Sequence, residues 1–375
     1  MKLTLQTQLL PDECQGEKLK ATVERFNEAA TWLASEIFKR RLVNKITIQK
    51  LYYQDLRLTF GLSAQMACLC IARVAEAYKR DKSKCPKFKP HAGMTYDQRT
   101  MSFKGVDKVS LLTLEGRVIV PVLMGNYQRE RFTNAKGQAD LVLRKDGKWF
   151  LLVTVDVPDG TPTPTTDFIG VDLGVVNIAT TDNGQVFSGQ PVEDVRQKFH
   201  DQRQSLQKAA AASTAKGKRP KNIRRKLKSV GSKEQRFRRD INHQISKKLV
   251  AKAKDTGHGI ALEDLKGVRD RSRFRRPQRA KMSGWAFSQL RNYIEYKARL
   301  AGVLIAIIDP KNTSRTCAHC GHCEKANRPS QERFLCKACG HAAHADINAA
   351  QNIRARALVS APIVSSCPAF AAAAG

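Results

Sequence analysis

The sequence predicts a multidomain protein in which a β-rich domain is followed by an α/β domain with a small cysteine-rich insert. Three observations lead to this fold class. Short strands with tight turns fill residues 92–157, strands and helices alternate after residue 166, and two Cys-x-x-Cys pairs lie near the carboxyl end. A chain of 375 residues is long enough for two or three domains of roughly 150 residues each.

The chain begins with a predicted strand and a helical unit. Residues 1–10 alternate well enough for a strand that ends at Pro11. One helix then has apolar residues at spacings of three and four from Leu19 to Ile37, and Ser63 is a suitable N-cap for another. We expect these helices to form a separate unit, residues 11–88, inserted after the first strand.

The β-rich part follows and is organised by hairpins. Glu115-Gly116 and Asp146-Gly147 are turn sequences, and Asp-Gly is among the strongest short hairpin signals. The strands that they join are 109–114 with 117–123, and 141–143 with 149–155. Five or six short strands predict a small β-barrel, formed by residues 89–157 and completed by residues 1–10.

The clearest linker in the sequence is 158–166, where two Thr-Pro steps keep the backbone extended. We place the main domain boundary there. A meander is expected next, with strands at 168–172, 177–181 and 185–188. The continuous apolar run Val303 to Ile308 predicts a central strand that is covered on both faces. The tail, residues 358–375, has no charge and no clear period, and we expect it to be disordered.

Charge is the most unusual property of the chain. Its 66 Lys+Arg against 34 Asp+Glu give a net charge of +32, which indicates a polyanionic partner, with nucleic acid as the default. Residues 201–250 hold 16 Lys+Arg and 3 Asp+Glu, a net +13, and a second basic stretch lies at 269–281. A solvated helix face is the alternative interpretation, but so concentrated an excess favours binding to backbone phosphates. The arginines chosen to represent this surface are Arg224, Arg225, Arg236 and Arg239.

The sequence gives no sign of secretion or membrane insertion. The first ten residues lack the apolar core of a signal peptide, and no apolar stretch approaches 18 residues. Ten cysteines in a chain of this length do not form a secreted disulfide framework. We therefore expect a cytoplasmic protein of a prokaryotic cell, associated with the nucleoid when it is bound to DNA, and no membrane partner. The oligomeric state is left open.

Three acids stand in contexts that indicate a metal site. Asp172 lies inside an apolar strand, where an unpaired charge costs several kcal/mol, Glu263 ends another short strand, and Asp346 begins the last helix. Carboxylates suit Mg²⁺, and two such ions about 3.5–4 Å apart are typical of nucleases. Alternatively, Asp172 caps a turn at Gly174. Spacing alone does not exclude three other aspartates: Asp264, Asp270 and Asp309.

The cysteine pattern is the most specific signal in the chain. Its spacing is C-x2-C-x15-C-x2-C, and a glycine follows each pair. Four thiolates form a closed tetrahedral site, which predicts structural Zn²⁺. The matched second pair makes a redox Cys-x-x-Cys a weak alternative, and a pair of Cys320 with Cys323 lacks the following glycine. The predicted ligands are Cys317, Cys320, Cys336 and Cys339.

Taken in order, these motifs resemble the TnpB (OrfB-like) family of proteins encoded by insertion sequences, which are related to the miniature type V CRISPR effectors. The matching segments begin at DFIGVDLGVVNIATTDNG and INHQISKKLV and continue through IALEDLKGVRDR, DPKNTSRTCAHCGH, FLCKACG and DINAAQNI. They cover about 166 to 356, and YDQRTMSF resembles the amino-terminal half more loosely.

The resemblance implies an RNA-guided DNA endonuclease with an RNase H-like (RuvC) domain dependent on Mg²⁺ or Mn²⁺. A guide RNA would pair with the target DNA, and the catalytic acids would be Asp172, Glu263 and Asp346. The barrel and helical unit would be the wedge and recognition domains. The nuclease domain would comprise 167–310 and 346–357, with the zinc ribbon at 311–345.

The resemblance also raises the question of what reads the DNA beside the paired target. Gln65, Tyr96, Arg99 and Thr100 carry groups suited to base edges, although ordinary surface polarity explains them equally well. Two alternatives for the whole protein stay open. One is a CRISPR effector that uses a crRNA, and the other is a nuclease-dead DNA-binding repressor or transposition factor.

Overall fold

The computed structural model describes residues 1–132, 138–265 and 287–360. Two compact units are present, the first Met1–Pro158 and the second beginning at Asp159. Helices and sheets occur in both, in agreement with the predicted mixed fold class. The second basic stretch at 269–281, Asp270 and the tail beyond Ser360 lie outside the described residues.

Three helices form the helical part of the first unit. Helix α1 begins with a reciprocal capping box, in which the Gln15 amide donates to Asp12 Oδ1 and the Asp12 amide to Gln15 Oε1. The predicted apolar stripe on α1 is buried, and Ser63 caps α3 as expected. Helix α2 has no counterpart among the predicted elements. The bounds are α1 Glu13–Lys39, α2 Lys45–Leu58 and α3 Ala64–Arg80.

The rest of the first unit is a seven-stranded sheet in which each described pair is antiparallel. Its order is β2-β6-β7-β1-β5-β4-β3, so the first strand lies at the centre. Both predicted hairpins are present, with Gly116 and Gly147 at positive φ in their turns. The strands are β1 Lys2–Leu9, β2 Met94–Tyr96, β3 Met101–Lys104, β4 Lys108–Thr113, β5 Gly116–Leu123, β6 Ala139–Leu143 and β7 Trp149–Asp156; a short helix, α4 Asn126–Arg131, follows β5.

The second unit is built on a five-stranded mixed sheet of order β10-β9-β8-β11-β12. The first three of its strands in sequence form the predicted antiparallel meander, whereas β11 runs parallel to β8 and β12 parallel to β11. The strands are β8 Phe168–Asp172, β9 Asn177–Thr181, β10 Val186–Ser188, β11 Gly259–Glu263 and β12 Ile305–Ile308.

Helices cover both faces of this sheet. Apolar side chains of α6 and α7 pack on the face that carries Ile169 and Val171, and α8 packs on the opposite face against Phe168 and Ala261. Helix α8 lies very close to β8, because a Cβ at Gly170 would overlap the Ala350 carbonyl oxygen. The helices are α5 Gln190–Ala215, α6 Lys221–Thr256, α7 Phe287–Ala301 and α8 Ala345–Ser360.

Two sequence predictions about this unit are corrected. Strand β12 is at the edge of the sheet and not at its centre, and its Ile307 is 40% exposed. A run of apolar residues indicates that a strand is buried on average. It does not determine whether the strand lies at the centre or at the edge of the sheet. Helix α8 continues to Ser360, so the first residues of the supposed disordered tail are helical.

The linker runs against the second unit. The Gly160 amide donates to the Arg299 carbonyl, and the Thr163 amide donates to the Gly302 carbonyl, each at 2.9 Å. Gly302 has a φ of 72° and touches the linker backbone so closely that a side chain would not fit. The extended linker is therefore held on the end of α7 by backbone hydrogen bonds.

Candidate functional site

Strand alternation places two of the predicted acids on the same face of the second sheet. Phe168 and Gly170 face α8, so Asp172, two residues further on, has the same orientation. Ala261 in β11 also faces α8, and Glu263 follows it by two residues. Because β8 and β11 are parallel and adjacent, with Leu262 opposite Val171, both carboxylates lie at the same edge of the sheet.

The third acid reaches this edge from the helix above. Asp346 lies in the first turn of α8, where the partial positive charge of a helix amino terminus favours a carboxylate. The close approach of α8 to Gly170 fixes the height of the helix over the sheet. The structure therefore brings Asp172, Glu263 and Asp346 together from three separate elements.

Burial and repulsion from neighbouring carboxylates disfavour the negatively charged forms of Asp172 and Glu263. Burial, together with repulsion from the nearby Glu263 and Asp346 carboxylates, raises the pKa of Asp172 to about 8, and Arg328 opposes the change. Burial also raises the pKa of Glu263, and its hydrogen bond from Thr313 opposes that shift. Such a cluster would be stabilised by added positive charge.

Specific side chains orient two of the carboxylates. Asn177 Nδ2 donates to Asp346 Oδ2 at 2.9 Å, and the Arg328 guanidinium lies 3.4 Å from Asp346 Oδ1. The buried Thr313 hydroxyl donates to Glu263 Oε1. Sequence reasoning missed these three partners. Asn177 follows Asp172 by only five residues, but no local signal connects Thr313 or Arg328 with the acids.

The spacing of the acids bears on which ions they could hold. Among the residues that the structure describes, only the four cysteines bring three or more ligand atoms all within 4.8 Å of one another, so the three carboxylates are more widely spaced. Mg²⁺ retains several waters and needs few carboxylates, and two ions span more space than one. The carboxylate donors, two of which (Asp172 and Glu263) have raised pKa values, suit divalent cations.

The competing aspartates have other surroundings. Asp264 accepts a hydrogen bond from Arg291 Nη1 at 2.6 Å, and its side chain is 42% exposed. Asp309 is exposed after β12 and accepts from the Lys311 amide. Strand alternation turns both away from the α8 face, because Glu263 and Ile308, which precede them, point toward it; the Asp309 carboxylate is still near enough to raise the pKa of Glu263.

The four predicted cysteines form a second, separate cluster. The sulfurs of Cys317 and Cys339 are 3.8 Å apart, and those of Cys320 and Cys336 are 3.5 Å apart. A tetrahedral site with Zn–S bonds of about 2.3 Å has sulfurs about 3.8 Å apart, so the spacing fits zinc. The Cys339 amide donates to the Cys336 sulfur and lowers the pKa of that thiol, which favours its thiolate form.

The local fold explains this spacing. Both pairs form the same turn, in which the amide of the following glycine donates to the carbonyl of the first cysteine. Gly321 and Gly340 have φ angles of 77° and 74°, which favour glycine. A two-stranded sheet, β13 Arg333–Leu335 and β14 Ala342–His344, connects the second turn with α8. Cys323 is exposed and is not part of the cluster.

The basic region forms an antiparallel pair of long helices, α5 and α6. The four arginines chosen from the sequence are all exposed on α6. An ion pair between Arg203 and the buried Glu234 joins the two helices. The surface charge is therefore presented on a regular helical framework, which we name the basic hairpin (residues 190–256).

The predicted base-reading residues separate into two groups. Tyr96 and Thr100 are fully buried: the Tyr96 hydroxyl donates to the Leu112 carbonyl, and Thr100 forms hydrogen bonds with Asp97. The prediction that these two side chains meet base edges is wrong for this structure. Both are buried, and their hydroxyl groups form hydrogen bonds inside the protein. Gln65 and the exposed Arg99 are joined by a hydrogen bond at the surface of the first unit.

Two family profiles match the chain. The profile described as a probable transposase (OrfB_IS605) matches residues 150–267, and the Cas12f1-like TNB domain matches residues 287–353. The matched parts of the chain are similar to these two families, and the chain resembles the TnpB (OrfB-like) family in both. The two matches cover the parts of this TnpB-like chain that hold Asp172, Glu263 and the four cysteines, together with Asp346.

Individual relatives have related names. The chain is 32% identical over 262 residues to a CRISPR-associated endodeoxyribonuclease Cas12f1 of Sulfoacidibacillus thermotolerans, covering 66% of this chain and 58% of that protein. It is 28% identical to the putative RNA-guided DNA endonuclease InsQ of Escherichia coli K12, covering 76% and 71%. The chain spans 42% of a second Cas12f1, from Syntrophomonas palmitatica. It therefore covers about half the length of these Cas12f1 relatives.

Solved structures show a shared fold. A Cas12f1–sgRNA–target DNA complex matches with a TM-score of 0.59 at 18% identity, covering 90% of this chain and 81% of that one. The mini-RNA-guided endonuclease CRISPR-Cas_phi3 matches with a TM-score of 0.58 at 12% identity, covering 98% and 94%.

No helix in the described part of the chain is long and apolar enough to cross a bilayer.

Proposed function

We propose that this chain is an RNA-guided DNA endonuclease that hydrolyses phosphodiester bonds with divalent cations. The observation that carries the proposal is the meeting of three carboxylates from β8, β11 and α8 in a site where burial and mutual repulsion raise the pKa of Asp172. The names of the relatives, which include RNA-guided and CRISPR-associated DNA endonucleases, support the substrate class.

The finer domain assignment is part of the same proposal. The second sheet with α6, α7 and α8 would be the RNase H-like (RuvC) domain, interrupted by a zinc ribbon at 311–345. The seven-stranded sheet would be the wedge barrel, and α1 to α3 the recognition insert. Zn²⁺ in the ribbon would be structural, because four cysteines leave no open position.

Each residue of the acid site has a proposed role. Asp172 interacts with both other carboxylates and would share the ions, whereas Glu263 and Asp346 would each hold one side of the site. Asn177 would keep Asp346 oriented, and the Arg328 guanidinium would balance charge near Asp346. Bound Mg²⁺ or Mn²⁺ would activate the attacking water and stabilise the leaving oxygen.

The nucleic acids would bind on other surfaces. Guide RNA would contact the basic hairpin mainly through phosphates, which gives affinity without sequence preference. Pairing with the guide would select the target DNA, and the protein would read only a short flanking motif. Of the residues predicted for that task, we retain Gln65 and Arg99.

The test separates cutting from binding. The chain is purified with its copurifying RNA, the RNA is sequenced, and cleavage and binding of a matched DNA target are measured with Mg²⁺. Asp172→Ala, Glu263→Ala and Asp346→Ala should each abolish cleavage and leave target affinity within about twofold, since the acids contact phosphate through metal. Robust cutting by any of the three would contradict the mechanism.

Asp264→Asn is the matched control. It changes the acid next to Glu263 while keeping an acceptor for Arg291, and it should cut normally. The sequenced RNA decides between a transposon-end guide and a crRNA. If the unmodified complex binds its matched target tightly and never cuts it, the nuclease-dead repressor is the correct alternative.

A further inference from the structure

A short segment connects the acid site with the cysteine cluster. We name residues 313–318 the ribbon base; this segment lies shortly after β12 and contains the first zinc-ligand candidate, Cys317. At one end, the buried Thr313 hydroxyl donates to the Glu263 carboxylate. At the other end, Cys317 is buried within the cysteine cluster. The same six residues therefore touch both candidate metal sites.

Two asparagines of α8 hold the ribbon base from the side. Asn348 Nδ2 donates to the Thr316 carbonyl at 2.8 Å, and Asn348 Oδ1 accepts from the Ala318 amide at 2.9 Å. Asn352, one turn further along, donates to the carbonyls of Thr313 and Thr316 at 2.9 and 2.7 Å. Because Asn348 is fully buried and Asn352 is 7% exposed, these amides have little water to replace a lost partner.

These bonds form a closed path around the acid site. Glu263 is bound by Thr313, the carbonyl of Thr313 is bound by Asn352, and the helix that carries Asn352 also presents Asp346 in its first turn. The distance between Glu263 and Asp346 therefore depends on the ribbon base as well as on the sheet. A carboxylate that keeps its orientation without metal binds the ion with less loss of conformational freedom.

We propose that Thr313 and the pair Asn348 and Asn352 are positioning residues, through which the folded ribbon sets the affinity of the acid site for divalent cations. The inference rests on the proposed metal-dependent site. In this proposal the ribbon helps to orient the carboxylates of the acid site, in addition to any contact that it makes with nucleic acid. Partners that orient metal ligands typically change metal affinity by about 10- to 100-fold when they are removed.

The experiment compares Thr313→Val with Thr313→Ser in the full chain. Mn²⁺ binding is measured by calorimetry on RNA-free protein, and the part that Asp172→Ala abolishes is taken as binding to the acid site. Cleavage by the RNA complex is then titrated with Mg²⁺. Thr313→Val should weaken acid-dependent Mn²⁺ binding and raise the half-saturating Mg²⁺ concentration about 10-fold, with the rate at saturating Mg²⁺ within about twofold.

Rescue distinguishes positioning from general stability. Thr313→Ser retains the hydroxyl and should restore both metal affinities, whereas Asn352→Ala should weaken them while zinc stays at about one per chain. Thr165→Val is the matched control. It removes a threonine hydroxyl at the opposite end of β8, where that group bonds only to backbone, so it should lower stability without changing either metal titration.

The outcomes separate the two proposals. If the unmodified chain shows acid-dependent Mn²⁺ binding that Thr313→Val leaves unchanged, the positioning inference is wrong and the proposed function stands. The inference is equally overturned if Thr165→Val shifts the titrations as much as Thr313→Val does. If the unmodified chain shows no Mn²⁺ binding that depends on Asp172, both proposals fail.

Discussion

Replacement of Asp172 by asparagine should stabilise the protein when Mg²⁺ is absent. The folded carboxyl has a pKa of about 8, against an ordinary value of 3.8. Between these pH values the folded state binds more protons than the unfolded state, so the free energy of unfolding falls as the pH rises. Asparagine has a similar size and carries no charge, and it removes this dependence.

The size of the effect follows from the pKa difference. About four pKa units at 1.36 kcal/mol each give an upper bound of about 5 to 6 kcal/mol. Asp172 is only partly buried by accessible area, and solvent screens its repulsion from the other two acids, so we expect about 2 to 3 kcal/mol. For a unit of this size that corresponds to a Tm difference of about 5 to 10 °C above pH 8.

Thermal unfolding in Mg²⁺-free buffer from pH 4 to 9 measures this difference. The asparagine variant and the unmodified chain should converge toward pH 4 and separate progressively up to pH 8. Millimolar Mg²⁺ should stabilise only the unmodified chain, because a ligand of the native state adds its binding free energy to stability. Parallel pH profiles, or equal stabilisation of both proteins by Mg²⁺, would refute the argument. Asp264→Asn, at an exposed ion-paired acid, should show no such separation.

Four further predictions concern other parts of the chain. Gly170→Ala should reduce cleavage at least 10-fold and lower stability by about 1 to 3 kcal/mol, since its methyl group would push α8 and Asp346 away from β8; normal activity would contradict this packing. Cys336→Ser should reduce zinc from about one per chain to near zero in elemental analysis, and retained zinc would mean that the ligands are misassigned. Neutralising Arg224, Arg225, Arg236 and Arg239 together should weaken RNA binding strongly and flatten its salt dependence in filter binding, whereas unchanged affinity at moderate salt would place the RNA elsewhere. Arg99→Ala should change the preference for the flanking DNA motif in a cleavage assay, whereas Thr100→Ala should mainly lower the Tm; an unchanged preference with Arg99→Ala would remove that residue from the proposal.

Sequence patterns alone were sufficient for the elements that hold the acids. Glu263 ends its strand as predicted, whereas Asp172, predicted inside a strand, is the last residue of β8. Strand alternation has a period of two, so their shared face follows once the strands are adjacent and parallel. The cysteine spacing likewise required only local information, because each pair and its glycine form one turn. The helix cap predicted at Ser63 is local for the same reason.

Only the tertiary structure determined the strand order, the burial of certain polar residues and the hydrogen bonds between distant segments. The edge position of β12, the burial of Tyr96 and Thr100, and the contacts of Thr313 and Asn352 depend on segments that lie far apart in sequence. A polar residue in a sequence shows only that it needs a hydrogen-bond partner. That partner can be water, a nearby backbone group or, as for Thr313, a carboxylate 50 residues away. Packing decides which one it is, because packing determines which polar groups lose contact with water.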